Sequence, residues 1–155
     1  STAPPESSKE VFGIGVFHTK TEVNIGTLYR SAYQLGASFV FTIGKRYESQ
    51  SSDTPKSWKH IPLYHYVSFE QFIENRPYDC QLVGVEMSER ARKIPGFIHP
   101  ERAIYLLGAE DYGIPKDIQE RCQHIIELGG GSYNVAVAGS IVMYDRVMSP
   151  KRILV

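Results

Sequence analysis

The sequence predicts an α/β protein built on a largely parallel sheet, and three observations carry that prediction. Short apolar runs rich in β-branched and aromatic residues alternate with segments whose apolar residues recur at helical spacing, the pattern of strand–helix–strand units. The three most unusual loops, at 19–26, 108–115 and 129–134, each follow an apolar run, and in open parallel sheets ligands bind beside the carboxyl ends of strands. At 155 residues, 42% of them hydrophobic, the chain can bury one sizeable core and has little room for a second. No repeat or linker divides it, so residues 1–10 read as a disordered tail and 11–155 as a single domain.

The elements follow in order. VFGIGVF at 11–17 reads as a buried strand handing over to a polar loop. Thr19 or Thr21 can cap a helix that buries Val23, Ile25, Leu28, Tyr29, Ala32 and Leu35, and Gly36 closes it. SFVFTI at 38–43 is a second strand, followed by a long polar loop over 44–62 with serines, lysines and two prolines. Ser68 caps a short helix that stops before Pro77, and QLVGVEM at 81–87 is the next strand. A charged loop with Arg90, Arg92 and Lys93 leads to the strand AIYLL at 103–107. Pro115 fits the first turn of a helix through Arg121. A last strand at 124–128 meets a glycine turn, after which Ser132 caps a helix to about Met148.

Composition narrows the functional classes. Seventeen basic and 17 acidic residues give zero formal charge, which argues mildly against a dedicated nucleic-acid binder unless basic residues cluster locally. Cys80 and Cys122 have no metal-ligand spacing and read as buried free thiols in a reducing cytosol. No zinc site can be assembled. Apolar stretches run only a few residues, far short of the roughly 20 a membrane helix needs. The polar start lacks the charged-then-apolar order of a signal peptide. A cytoplasmic protein with no membrane partner and no metal is expected.

Three segments could carry chemistry. Asn24, Gly26 and Arg30 lie within two turns of a helix start. A glycine there costs helix stability, so a close backbone approach would explain it, and a partly buried arginine needs an anionic or carbonyl partner. A capping Asn and a solvated Arg would look the same. In Gly108-Ala109-Glu110-Asp111-Tyr112-Gly113 two glycines frame paired carboxylates directly after a buried strand. The ordinary alternative is an acidic turn favoured by the next helix's dipole. Gly129-Gly130-Gly131 before Ser132-Tyr133-Asn134-Val135 would expose backbone N–H groups to a polar ligand, or would be a plain turn before a core helix. Its spacing is not that of a dinucleotide or triphosphate loop. Ala136, Ala138, Gly139 and Ser140 make the final helix slim enough to pack closely on another backbone.

Taken together, in order and spacing, these segments resemble the three motifs of the SpoU-type (TrmH-like) RNA 2′-O-methyltransferases, within the SPOUT class of knotted methyltransferases. The first motif's Asn-x-Gly-x-x-x-Arg is matched by Asn24, Gly26 and Arg30. Its Gly-x-Glu-x-x-Gly is matched by Gly108, Glu110 and Gly113, and its Ser-Leu-Asn-Val by Ser132-Tyr133-Asn134-Val135. The likeness spans roughly residues 11–149 and is weak from 45 to 100. Two departures stand out. Glu127 and Leu128 replace the family's Pro-Met, with a loop about two residues shorter before Ser132, and Tyr133 replaces the common Leu.

The resemblance implies a deep trefoil knot near the C-terminus, one of the exceptions to the rule against threaded chains. It implies S-adenosylmethionine as cofactor, contacted by Leu107, Gly108, Glu110, Gly113, Leu128, Gly129, Asn134 and Val135. It implies a homodimer, with which an apolar final helix (Val135, Val137, Ile141, Val142, Met148) is consistent. The reaction implied is methyl transfer to a ribose 2′-hydroxyl, with Arg30 acting on the nucleophile and Asn24, Glu110, Ser132 and Asn134 fixing Arg30 and the ribose. A guanidinium, with its pKa above about 12, is ill suited to be a simple base. It suits holding the adjacent phosphate and stabilising negative charge. RNA would be held by Lys45, Arg46, Lys56, Lys59 and His60 in one loop and Arg90, Arg92 and Lys93 in another. Tyr47, Trp58 and Tyr64 are candidate stacking platforms, and His18 lies beside the first motif. A minimal enzyme of this kind suits a small structured RNA, tRNA being favoured over rRNA. The rival readings are a catalytically silent knotted protein that binds RNA or cofactor, a small hydrolase, which lacks a nucleophile elbow, and a methyltransferase acting on a base or a protein.

Overall fold

The computed structural model describes residues 10–17, 23–44, 60–77, 79–109, 113–131 and 133–149, and the backbone alone at 23 and 24. Its strands are β1 (Val11–Phe17), β2 (Phe39–Ile43), β3 (Leu63–Tyr66), β4 (Gln81–Val85), β5 (Arg92–Lys93), β6 (Arg102–Gly108) and β7 (His124–Glu127). They form one sheet in the order β3-β2-β1-β6-β4-β7-β5, with every pairing parallel. The helices are α1 (Val23–Leu35), α2 (Phe69–Asn75), α3 (Lys116–Gln119) and α4 (Val135–Met148).

A parallel sheet must be covered on both faces, and β6 at its centre shows how the sequence meets that demand. Because side chains alternate along a strand, Ala103, Tyr105 and Leu107 join one buried cluster with Leu28, Val142 and Met143 from α1 and α4. Ile104 and Leu106 join the other, with Phe41, Phe72 and Ile118. The glycines of β1 serve the second face. Gly13 and Gly15 stand in register with Phe39 and Phe41 of β2, and a β-carbon on either would overlap the neighbouring ring. Phe41 in turn stacks on Phe72 with ring centres 4.6 Å apart.

On the first face α1 and α4 pack closely through small residues, as the slim final helix suggests. A β-carbon at Gly139 would overlap the buried Leu28, and Ser140 Oγ donates to Ser31 Oγ at 2.9 Å. Gly26, by contrast, has no described atom within 4 Å of where its β-carbon would stand, so the expected close approach is not a packing contact. Tyr29 ties α1 to the residues just before β3. Its hydroxyl donates to the Ile61 carbonyl at 2.8 Å and accepts from the N–H groups of His60 and Ile61.

At the far end of α4 lies a buried cation that the sequence did not single out. Arg146 is 6% exposed. Its Nη1 donates to the Pro100 carbonyl at 2.6 Å and the Tyr105 hydroxyl at 3.1 Å, and its Nη2 to the Glu101 carbonyl and Glu10 Oε1. Burial pushes the Tyr105 hydroxyl up to about 12, and His99 bridges that hydroxyl to Asp145.

Several expectations are corrected. Edge strand β3 falls on residues 63–66, which were assigned to no element, and β5 falls where a charged loop was read, because LYHY is only half buried and β5 is two exposed residues long. The helix after Pro115 is a single turn with Pro115 as its N-cap, continued by turn residues to Arg121. The cap of α4 is Asn134, whose side chain accepts from Val137 N at 2.9 Å, and the helix starts at Val135. Ser132, Thr19 and Thr21 lie outside the described residues. Gly36 closes α1 at φ 91° and Ser68 caps α2, as read. Cys80 and Cys122 are free and buried, and burial pushes the Cys122 thiol up to about 11. No described helix is long and apolar enough to cross a membrane.

Gly15→Ala tests the aromatic slot. Alanine in a strand should gain a few tenths of a kcal/mol from backbone entropy, yet the overlap with a packed Phe41 should cost about 1–3 kcal/mol. The expected net result is a melting temperature lower by about 2–8 °C, read by thermal denaturation. An unchanged or higher value would show that the ring is not held as described.

Candidate functional site

Three loops leave the carboxyl edge of the sheet side by side, from β4, β6 and β7, and a cavity of about 380 Å³ lies between them. One wall is Val85, Glu86 and Met87, and another is Leu107, Gly108 and Ala109 with the returning Gly113 and Ile114. Glu127, Leu128, Gly131 and Tyr133 close the third side, with Val135 and Ala138 of α4 and Gln119 beneath.

The β6 wall is shaped by a sharp reversal. Ala109 and Gly113 form an antiparallel bridge, with Gly113 N donating to the Ala109 carbonyl at 2.9 Å. Gly113 has φ 64°, a left-handed conformation suited to glycine. A β-carbon on Gly108 would sit inside the Gly113 backbone, and one on Gly113 would strike Glu86. Ile114 is clamped from two sides: its N–H donates to Glu86 Oε2 at 2.6 Å, and its carbonyl accepts from Gln119 Nε2 at 2.7 Å. Glu86 Oε1 also accepts from Met87 N at 3.2 Å. Beyond β7 runs a series of three left-handed glycines, Gly129, Gly130 and Gly131, at φ 81°, 76° and 114°, of which Gly131 lines the cavity. Tyr133 lies across it, donating from its hydroxyl to the Gly129 carbonyl at 3.0 Å.

Of the residues expected to contact a cofactor, Leu107, Gly108, Gly113, Leu128 and Val135 line this cavity. Gly129 and Asn134 flank it in sequence but are not in its lining, and Glu110 lies outside the described residues. Among the residues expected to act on substrate, Arg30 is exposed on α1, not partly buried, and makes no hydrogen bond or ion pair with a described residue. Asn134 Oδ1 is engaged in capping α4. The Asn24 side chain, Ser132, His18, Lys45, Arg46, Tyr47, Lys56, Trp58 and Lys59 are outside the described residues. Arg90 is committed to the fold, its Nη2 donating to the carbonyls of Gln119 and Cys122. Arg92 and Lys93 stay exposed on β5, Tyr64 is exposed on β3, and His60 stacks on Tyr33 at 4.1 Å.

Sequence reasoning missed Glu86, which holds the β6 loop. The signal available was its place: an acidic residue just past a buried strand at the carboxyl edge of a parallel sheet. No described group of His, Cys, Asp and Glu could hold a metal ion.

The model of the SpoU rRNA Methylase family matches residues 12–144. Comparison with curated proteins by sequence finds no match. Among solved structures the chain is similar to an AdoMet-bound rRNA methyltransferase from Sinorhizobium meliloti, with TM-score 0.77 and 20% identity over 88% of this chain and 55% of that one. It is similar to the SpoU methyltransferase AviRb from Streptomyces viridochromogenes in complex with AdoMet, at 0.76 and 19% over 89% of this chain and 60% of that one. A structure concerned with 2-OH methylation of C/U34 on tRNA matches at 0.75 and 22%, over 89% of this chain and 95% of that one. The chain thus spans a little over half the length of the first two. These identities establish likeness of fold.

Glu86 and Gly113 should be energetically coupled. Gly113→Ala is expected to cost about 1–3 kcal/mol, since it forces alanine to a left-handed φ and drives its β-carbon into Glu86. Glu86→Ala removes that obstacle but leaves the Ile114 N–H without its partner. Denaturant unfolding of both single variants and the double variant should give a double cost at least about 0.5 kcal/mol below the sum. Strict additivity would mean the two residues do not touch.

Proposed function

Since the chain belongs to the SpoU rRNA Methylase family, whose model covers most of its length, we propose that it is an S-adenosylmethionine-dependent RNA methyltransferase acting on a ribose 2′-hydroxyl. The observation that carries this reading is the cavity at the carboxyl edge of the sheet, walled by the loops that hold the second and third motifs. Its size and mixed apolar and polar wall suit a nucleoside-sized ligand. The bound cofactor supplies an electrophilic methyl group on a sulfonium. Leu107, Leu128 and Val135 would offer it apolar surface, with Gly108 and Gly113 in the same lining and Gly129 flanking it in sequence. Glu110 and Asn134 complete the cofactor set implied by the motifs.

Arg30 is the residue for the substrate side. Exposed and unpaired among the described residues, it is available to hold the phosphate beside the reacting ribose and to stabilise the oxyanion as the hydroxyl loses its proton. Asn24, Glu110, Ser132 and Asn134 position Arg30 and the ribose, Asn134 by fixing the start of α4. Arg92, Lys93 and the basic residues of loop 45–59 hold RNA through local charge on a chain of zero net charge. tRNA is favoured over rRNA, one of the similar structures being concerned with 2-OH methylation of C/U34 on tRNA. The chain acts in the cytoplasm as a single domain carrying the family's trefoil knot. It forms a homodimer through the stripe Val137, Ile141, Tyr144 and Met148, which α4 leaves exposed at helical spacing.

Labelled S-adenosylmethionine incubated with total tRNA and with rRNA from cells lacking this gene should deliver label to tRNA in alkali-resistant linkages. Arg30→Ala should lower that transfer by about 10²–10³-fold while leaving cofactor affinity within about twofold. Cofactor binding with no transfer to either pool would favour a silent binding protein. Absence of cofactor binding would overturn the reading. For the dimer, Ile141→Lys places a charge in the middle of the stripe and should yield monomers in sedimentation velocity. A wild-type monomer, or a dimer indifferent to this substitution, would remove the assignment.

A further inference from the structure

The residues lining the cavity include two acids, Glu86 and Glu127, and no lysine, arginine or histidine among those described. The two acids differ in their commitments. Glu86 is locked by the N–H groups of Ile114 and Met87. Glu127 is half-buried at the end of β7; its carbonyl accepts from Ile94 N at 3.2 Å, but its carboxylate makes no hydrogen bond or ion pair with any described residue. Its register partner across the sheet is Lys93, yet the two form no ion pair. A carboxylate drawn partly out of water without a partner bears a desolvation cost that nothing in the described protein offsets. Glu127 also stands where the motif it resembles carries proline, so the charge is a feature of this chain.

We propose that Glu127, backed by Glu86, selects the cofactor by charge, favouring the sulfonium form over the neutral thioether that remains after reaction. This rests on the cofactor reading above. In the transfer the S–CH3 bond breaks with its electron pair staying on sulfur, an O–CH3 bond forms, and the hydroxyl proton is released. The sulfur therefore loses its positive charge at the moment product forms. Fields from a low-dielectric wall act most strongly on a charge inside it, so the anionic wall retains the reactant and loosens its hold on the product.

The test is titration calorimetry of the whole chain and of Glu127→Gln with three ligands: S-adenosylmethionine, S-adenosylhomocysteine, and sinefungin, which carries an ammonium in place of the sulfonium methyl. In the variant both cationic ligands should weaken by about 10-fold, with the thioether changed by less than about twofold. Undiminished thioether binding also shows that the variant is folded. A measurement on the unaltered protein needs no variant: raising salt from about 50 to 500 mM should reduce the affinity ratio of sulfonium to thioether ligand. Equal weakening of all three ligands, or a ratio that neither substitution nor salt alters, overturns charge selection while leaving the cofactor site intact. Failure of the unaltered protein to bind any of the three overturns the cofactor reading itself.

Discussion

At the carboxyl end of β6 the chain doubles back so tightly that neither Gly108 nor Gly113 has room for a β-carbon, and the geometry of the cavity follows from that reversal. The bridge between Ala109 and Gly113 returns the backbone to the sheet edge. The returning strand is then caught by Glu86 at Ile114 N and by Gln119 at Ile114 O. The segment returning from β6 is thereby fixed to the end of β4 and to α3 by hydrogen bonds between side chains and its backbone, which tolerate little displacement. A pocket wall built in this way is set before any ligand arrives, so little conformational entropy remains to be lost on binding.

The reversal needs a rigid strand to start from, and β6 is held on both edges and both faces. It pairs with β1 and β4 and alternates its side chains into two separate clusters. The glycines of β1 let the aromatic rings of β2 lie flat against the sheet. Gly139 and the Ser31–Ser140 hydrogen bond bring α1 against α4. That contact brings the helix of the first motif against the helix that opens the third, so small residues deep in the fold align the two motifs that are farthest apart in sequence.

How much of this was legible in the chain depends on whether a feature leaves a local pattern. The strands of the sheet interior did, because burial on both faces selects uninterrupted apolar runs such as VFGIGVF. Leu63–Tyr66 and Arg92–Lys93 did not, since edge strands need only a partial apolar face or none. The loops after β6 and β7 announced themselves through glycines that left-handed backbone requires. Glu86 did not, because its role depends on Ile114, a residue 28 positions away. Arg146 was equally silent: its partners at Glu10, Pro100 and Tyr105 meet only once the sheet has formed. The cap of α4 was misplaced by two residues because serine and asparagine are both good caps and stand two positions apart ahead of the same apolar run.

The two halves of the proposed site are built on different physical terms. The cofactor side consists of strand ends and clamped backbone, with Glu86 locked by the N–H groups of Ile114 and Met87. On the substrate side, Arg30 projects from α1 with no described partner. An arginine free in this way contributes little to stability, so packing does not account for its presence, and a phosphate is the partner its geometry suits best. RNA can satisfy that requirement on a chain with no net charge because attraction to phosphate falls off within about a Debye length. What matters is then the local placing of exposed cations such as Arg30, not the sum over the surface. On the proposed reading the acidic lining and the exposed arginine are complementary: one would hold a cation inside, the other an anion outside.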